Sequence, residues 1–381
     1  MQGFRNIRAY LPGQGVVRTN IGFQDGKIAY IGEDASLITP LFETDAILVP
    51  GFIDEHIHGA GGADAMDGTP EALATISATL AKEGTTAFLA TTMTQSEENI
   101  SQALSAVKDA MENHTCTGAQ LLGVHLEGPF ISPKHVGAQP LEYVLQPSVE
   151  VFDRYDEISG GAIRVVSLAP ECDVDLRLVQ HVHAKGKIAS VAHTGATYAQ
   201  VEAAAKVGVR SITHTYNAQT SLHHREAGVV GAAMLLDEVA CELICDIIHV
   251  SAPAIRLLIK NKPHEKVILI TDAMRAKGMP DGLSELGGQQ VIVKDGEARL
   301  TDGTLAGSVL KMNVAIKNLV ERVGIPFTDA VDFATRNPAM QLGILHERGT
   351  IEVGKRADVV LLGDDFSVQA TLINATPVYQ I

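Results

Sequence analysis

The chain of 381 residues has no tryptophan, and aromatic side chains make up only 4% of it. Its interior must therefore be built from aliphatic residues, a texture that suits α/β enzymes rich in Ala, Val, Ile and Leu. Cysteine is equally sparse. Cys116, Cys172, Cys241 and Cys245 form no Cys-x-x-Cys pair. Four in a chain of this size make no disulfide scaffold and read as reduced thiols of a cytoplasmic protein. Cations are short: 30 Lys and Arg face 45 Asp and Glu, for a net charge of −15. That argues against a nucleic-acid partner or an anionic membrane surface, and an anionic substrate would need a local basic pocket set against the overall field. No run is long and apolar enough to span a bilayer. Met1-Gln2-Gly3-Phe4-Arg5 opens no apolar signal segment. Fixed-period repeats and low-complexity linkers are missing too.

What is present is an alternation of apolar β-rich runs with helical stretches. The runs are Ala46–Ile53, Thr86–Thr92, Gln120–His125, Ile163–Leu168, Lys187–Ala192, Ser211–His214, Cys241–Cys245 and Val267–Thr271. Helices are expected over Pro70–Glu83, Glu97–Glu112, Asp173–Lys185, Tyr198–Val207 and Pro253–Asn261, and further on over Ser308–Val323 and Thr328–Leu342. Eight strands alternating with helices predict a (β/α)8 TIM-type barrel. Both chain ends read as short strands and turns, with a hairpin signal at Asp25-Gly26. They are expected to pair into one small β-sandwich domain, residues 1–48 plus 347–381, around a barrel domain of residues 49–346. A short β insertion is expected near 287–301, with a hairpin at Asp295-Gly296.

In such a barrel the active site lies at the C-terminal ends of the strands, where the polar residues of this chain gather. His56 and His58 follow the first run, and alternate residues of a strand share a face. His125-Leu126-Glu127 ends the third, His193 the fifth, His214 the sixth, Asp246 with His249 follows the seventh, and Asp272 the eighth. One histidine after a strand is usually a structural hydrogen-bonder, and one aspartate there a helix cap. Their convergence on one face points to a metal site.

Val49-Pro50-Gly51-Phe52-Ile53-Asp54-Glu55-His56-Ile57-His58 resembles the opening of the amidohydrolase superfamily. His125-Leu126-Glu127-Gly128-Pro129, His193-Thr194-Gly195, His214 with Asn217-Ala218 and Arg225, Asp246 with His249, Thr271-Asp272-Ala273 and Asp302 to Ser308 follow in an order similar to its N-acetylglucosamine-6-phosphate deacetylase family. The resemblance covers nearly the whole chain. It implies a homodimer that hydrolyses the acetamide of a phosphorylated amino sugar. A phosphate needs cationic and N–H donors: Arg225 can bind two of its oxygens at once, unless it forms a surface salt bridge with Glu226, and His249 can add charge or a donor. The resemblance also places Asn217 and the Ala218 backbone there, with contacts across the dimer or within one subunit, and implies that Leu305-Ala306-Gly307 contacts the sugar or its acetyl group.

The residue types carry a mechanism. Glu127, His193 and His214 form a catalytic-type ligand set with room for water. His56 and His58 can hold a second divalent ion, with Glu127 bridging; zinc is the expected metal, with Fe, Mn or Co as alternatives. Asp272 is the expected general base, its alternatives being a further ligand or a cap. Some relatives lack the His-x-His pair and use one metal. Some also have histidine where this chain reads Gly137-Ala138-Gln139, so a second ion would replace that histidine in polarising the carbonyl; Ala138 and Gln139 are candidate substrate contacts. Three other readings stay open: the galactose epimer as substrate, another amidohydrolase reaction, and a barrel without chemistry. The last sits poorly with an intact set of candidate ligands.

Overall fold

In the computed structural model, which describes residues 1–381, eight parallel strands run in chain order around a barrel. They are β1 (Phe52–Ile57), β2 (Thr85–Thr91), β3 (Gln120–Glu127), β4 (Ile163–Leu168), β5 (Ile188–Val191), β6 (Val209–Ile212), β7 (Ala240–Ile244) and β8 (Val267–Ile270). Polar groups at the strand ends join β8 to β1. Asp54 is buried and accepts the Thr271 N–H at 3.2 Å and its hydroxyl at 2.5 Å. Just beyond, the Asp272 N–H donates to the His56 carbonyl at 2.9 Å and the His58 N–H to the Ala273 carbonyl at 2.9 Å. The seam of the barrel thus brings His56, His58 and Asp272 together.

The first strand departs from expectation. Ala46–Ile53 is not one strand but a crossing between two sheets. Ile47–Pro50 pairs with Gln2–Leu11 and Val359–Leu362 in the sheet of the chain ends, and the barrel strand starts only at Phe52. Gly51 makes the crossing, and a Cβ there would collide with the Thr86 side chain. The end sheet runs through Thr376–Gln380, Val368–Ile373, Val359–Leu362, Ile47–Pro50, Gln2–Leu11, Gly15–Gln24 and Lys27–Gly32. It closes on its own apolar core, in which Phe4, Phe23, Leu48, Leu361 and Leu372 are buried. Asp25 and Gly26, both at positive φ (51° and 73°), form its predicted hairpin.

Helices Glu97–Glu112 and Tyr198–Val207 form as read, the second closed by a Thr197/Gln200 capping box. Pro70–Ala81 ends short of Glu83. Asp173–Lys185 becomes α-helical only at Arg177, because Asp175 and Leu176 take positive φ. Met312–Asn318 is the α-helical part of the expected Ser308–Val323, which continues as a π turn. The expected Thr328–Leu342 breaks at Thr335 into Phe327–Ala334 and Arg336–Gln341. Pro338, lacking an N–H, would press its ring on the Ala334 carbonyl of a continuous helix. Two helices were not anticipated, Val149–Ile158 and Gly228–Leu235. The β insertion begins at Gly282 rather than near 287 and forms three antiparallel strands to Leu300. Gln289 ties it over the barrel mouth by donating to the Ala138 carbonyl at 2.6 Å. No helix is long and apolar enough to cross a membrane.

Candidate metal centre

Glu127, the last residue of β3, turns its two carboxylate oxygens to different partners. Oε1 lies 2.9 Å from His214 Nε2 and 3.2 Å from His193 Nε2, and those two nitrogens are 3.2 Å apart. Oε2 lies 3.2 Å from His58 Nε2 and 3.7 Å from His56 Nε2. Asp272 Oδ1 faces the same pair, 3.2 Å from His58 and 3.5 Å from His56. All six side chains are buried.

The other ring nitrogens decide what this convergence means. Nδ1 faces an acceptor in three of the four rings: the His135 carbonyl for His193 at 2.9 Å, the Thr91 carbonyl for His58 at 3.3 Å and the Glu242 carboxylate for His56 at 2.9 Å. A neutral ring that donates from Nδ1 presents a bare lone pair at Nε2. Lone pairs and carboxylates therefore crowd the centre, and the buried Nε2 of His56 has no hydrogen-bond partner. A donor set of this kind fits a cation in each half, one held by Glu127, His193 and His214, the other by His56, His58 and Asp272, with Glu127 Oε2 facing the second pair.

Backbone geometry points the same way. His193, His214 and Asp272 lie at φ 42°, 29° and 48°, in the left-handed region. Non-glycine residues held there cost on the order of 1–3 kcal/mol each, and here each of these turns aims a strand-end side chain at the barrel axis. Burial raises the Asp272 carboxyl, but the His56 and His58 charges outweigh it and bring it down to about 2. His58 goes the other way: burial depresses it, and its bonds to Asp272 and Glu127 lift it to about 10, so its Nε2 holds a proton between those carboxylates at the place where a bound cation would take the lone pair instead.

Above the centre is a cavity of about 260 Å³ walled by His58, Glu127, Ala138, Gln139, His193, His214, Asn217, Ala218, His249, Asp272, Leu305 and Gly307, among others. Gln139 is locked: its oxygen accepts the Thr94 N–H at 2.7 Å and its amide donates to Glu127 Oε2 at 2.9 Å. His249 bonds Asp246 at 2.6 Å; burial opposes its charge, but Asp246 holds its pKa above the ordinary value. Ala306 is buried behind the wall, its N–H bonded to the Ala298 carbonyl. His56 lies beneath the wall and does not line it.

Arg225 stands apart: it is exposed, lies outside the cavity wall and bonds His224 at 2.7 Å. His125 supports the centre without joining either ligand set, its ring bonded to Ser167 at 2.8 Å and the Glu55 carbonyl at 3.0 Å. Sequence reading overlooked Glu242, His135, Met93, Leu286 and Thr304. Only Glu242 carried a signal, a carboxylate inside the apolar run Cys241–Cys245.

A barrel with histidines and carboxylates at its strand ends defines a class of metal-dependent hydrolases, and the amidohydrolase family profile matches residues 47–378. The chain belongs to the amidohydrolase family. It is similar to the N-acetylglucosamine-6-phosphate deacetylase of Bacillus subtilis (strain 168), 45% identical over 92% of this chain and 90% of that one. An N-acetylgalactosamine-6-phosphate deacetylase of Escherichia coli O157:H7 is 38% identical over 91% of this chain and 90% of that one. The crystal structure of the N-acetylglucosamine-6-phosphate deacetylase of Thermotoga maritima superposes with a TM-score of 0.88, at 34% identity over 99% of both chains.

Proposed function

We propose that this protein hydrolyses the acetamide of N-acetylglucosamine 6-phosphate to glucosamine 6-phosphate and acetate. The observation that carries the reading is Glu127 set between two histidine pairs with Asp272 opposite, on the floor of a sugar-sized cavity. Glu127, His193 and His214 would hold one divalent ion, and His56 and His58, sharing Glu127, a second. Zinc suits the mixed N/O donors, as do iron, manganese and cobalt. Such an ion lowers the pKa of water and polarises a carbonyl.

The chain's own groups supply the rest. Asp272, ionised at neutral pH, accepts a proton from the attacking water and delivers it to the departing nitrogen, which leaves as an amine. The seam bonds of Asp272 and Thr271 to β1 fix the direction of that carboxylate. His249, bonded to Asp246 and with its pKa held above the ordinary value by it, is placed as a donor to the phosphate beside Asn217 and the Ala218 backbone. Leu305 and Gly307 bound the sugar and acetyl side, with Ala306 held beneath them. Arg225 faces outward and reaches a phosphate as part of a homodimer, in the neighbouring subunit's cavity.

The relative that acts on N-acetylgalactosamine 6-phosphate supports a second reading, the epimeric substrate. Acetate release from the two epimers and from unphosphorylated N-acetylglucosamine, by metal-analysed protein, tests both. Fast release from the gluco phosphate alone is expected. Release from the galacto phosphate alone reverses the assignment, and release from neither, with metal bound, removes it.

A further inference from the structure

We propose that Glu242 is a positioning residue that couples the two ligand sets; the inference rests on the reading of His56 and His58 as metal ligands. Glu242 sits in β7 with its side chain fully buried, the one charged residue in an otherwise apolar strand. A carboxylate taken out of water needs compensation from its surroundings. Here that compensation comes from two ligands at once. Oε2 faces His56 Nδ1 at 2.9 Å and accepts the backbone N–H of His214 at 3.2 Å. The Glu242 carbonyl adds a bond from the Thr215 N–H at 2.9 Å. One side chain thus grips the ring of a ligand from the His56–His58 set and the strained backbone, at φ 29°, of a ligand from the Glu127–His193–His214 set.

Glu242 does not line the cavity, so it acts only through these histidines. By accepting from Nδ1 it fixes the His56 tautomer, leaves Nε2 bare toward the centre and makes that nitrogen more basic. By holding the His214 N–H it maintains the turn that aims the other imidazole. Its second oxygen has no hydrogen-bond partner and lies 3.9 Å from His125 Nδ1, so its grip is concentrated on the ligands. Removing it should weaken both sets, the His56–His58 set more, because there the contact is with the ligating ring itself.

The test is Co(II) titration of the metal-stripped full chain, followed by visible absorption and by metal analysis after dialysis, for wild type, Glu242→Ala and Glu242→Gln. Wild type should take up two equivalents. Glu242→Ala should bind the ion of the His56–His58 set about 10–100-fold more weakly, with a smaller loss at the other set and an altered cobalt spectrum. Glu242→Gln keeps an acceptor oxygen without the charge and should recover part of the affinity. Should the alanine variant not fold, the glutamine variant decides: a weakened, spectrally altered second site supports the proposal. Wild type with two ions and folded variants with unchanged affinities overturns the role of Glu242 alone. Wild type with one ion overturns the two-set reading, and the coupling with it.

Discussion

Gln139 donates its side-chain amide to Oε2 of Glu127 at 2.9 Å while its oxygen holds the Thr94 N–H. The residue is therefore more than a neutral stand-in for histidine. It orients the carboxylate that both histidine pairs share.

Replacing Gln139 by Ala frees Glu127 and leaves the buried Thr94 N–H unpaired. A stability loss of about 1–3 kcal/mol is expected, along with a 10–100-fold fall in kcat, the usual range for a residue that orients a metal ligand. Urea unfolding and saturation kinetics at fixed metal content check the two effects. Wild-type kcat in the variant would show that Glu127 is aligned without it.

His56→Asn should remove one ion and leave the other. Metal analysis is expected to fall from two equivalents to one, and kcat at saturating metal by about 100-fold, or ~2.7 kcal/mol of lost transition-state stabilisation. Unchanged turnover would mean that a single ion suffices here.

His125 sets a pH limit on stability. Burial first, and the nearby charge of His56 second, push its imidazole from the ordinary 6.5 down to about 4. A depressed histidine pKa means that the folded state keeps the ring neutral. Its contribution is therefore full above about pH 6.5 and is lost as pH falls toward 4, on the order of 3 kcal/mol in all. Urea unfolding in a chelator at pH 7, 6 and 5 should show the decline, and His125→Gln should flatten it. An identical slope in the variant would rule His125 out as the source.

Lys277 and Glu83 form an ion pair in which both side chains are at least 96% buried, 2.5 Å apart. Lys277→Met alone should cost about 3–5 kcal/mol, because Glu83 is left charged and unpaired. The double variant Lys277→Met/Glu83→Gln should recover much of that. Chemical denaturation of the three proteins compares them. Equal stabilities for the single and double variants would contradict the account.

The barrel was legible because its strands are short apolar runs and its candidate ligands sit where those runs end. Gly228–Leu235 escaped because six of its eight residues are buried and none is polar, so no 3.6-residue pattern marks it. Val149–Ile158 carried weak but real signals, a Ser148 cap and Phe152 and Tyr155 one turn apart. The crossing at Gly51 was hidden because Val49 and Phe52 are equally apolar and serve different sheets. Among the candidate site residues, the gathering of Asp272, Glu127 and the four histidines at the strand ends was readable from position, but so was that of His125, Asp246 and His249; position alone does not separate candidate ligands from supporting groups. The aim of Arg225 was not, since a loop residue's direction is set by its neighbours, here His223 and His224.

The crossing at Gly51 also has a consequence for the order of synthesis. Ile47–Pro50 leads directly into the strand that carries His56, yet one of its two flanking strands, Val359–Leu362, lies near the far end of the chain. At translation rates of 5–20 residues per second, roughly 15–60 s separate the two on the ribosome. Throughout that interval the nascent end sheet has an open edge, the kind of surface that pairs with other chains. The root of the strand that carries His56 is thus secured only after the whole barrel that follows it has been made.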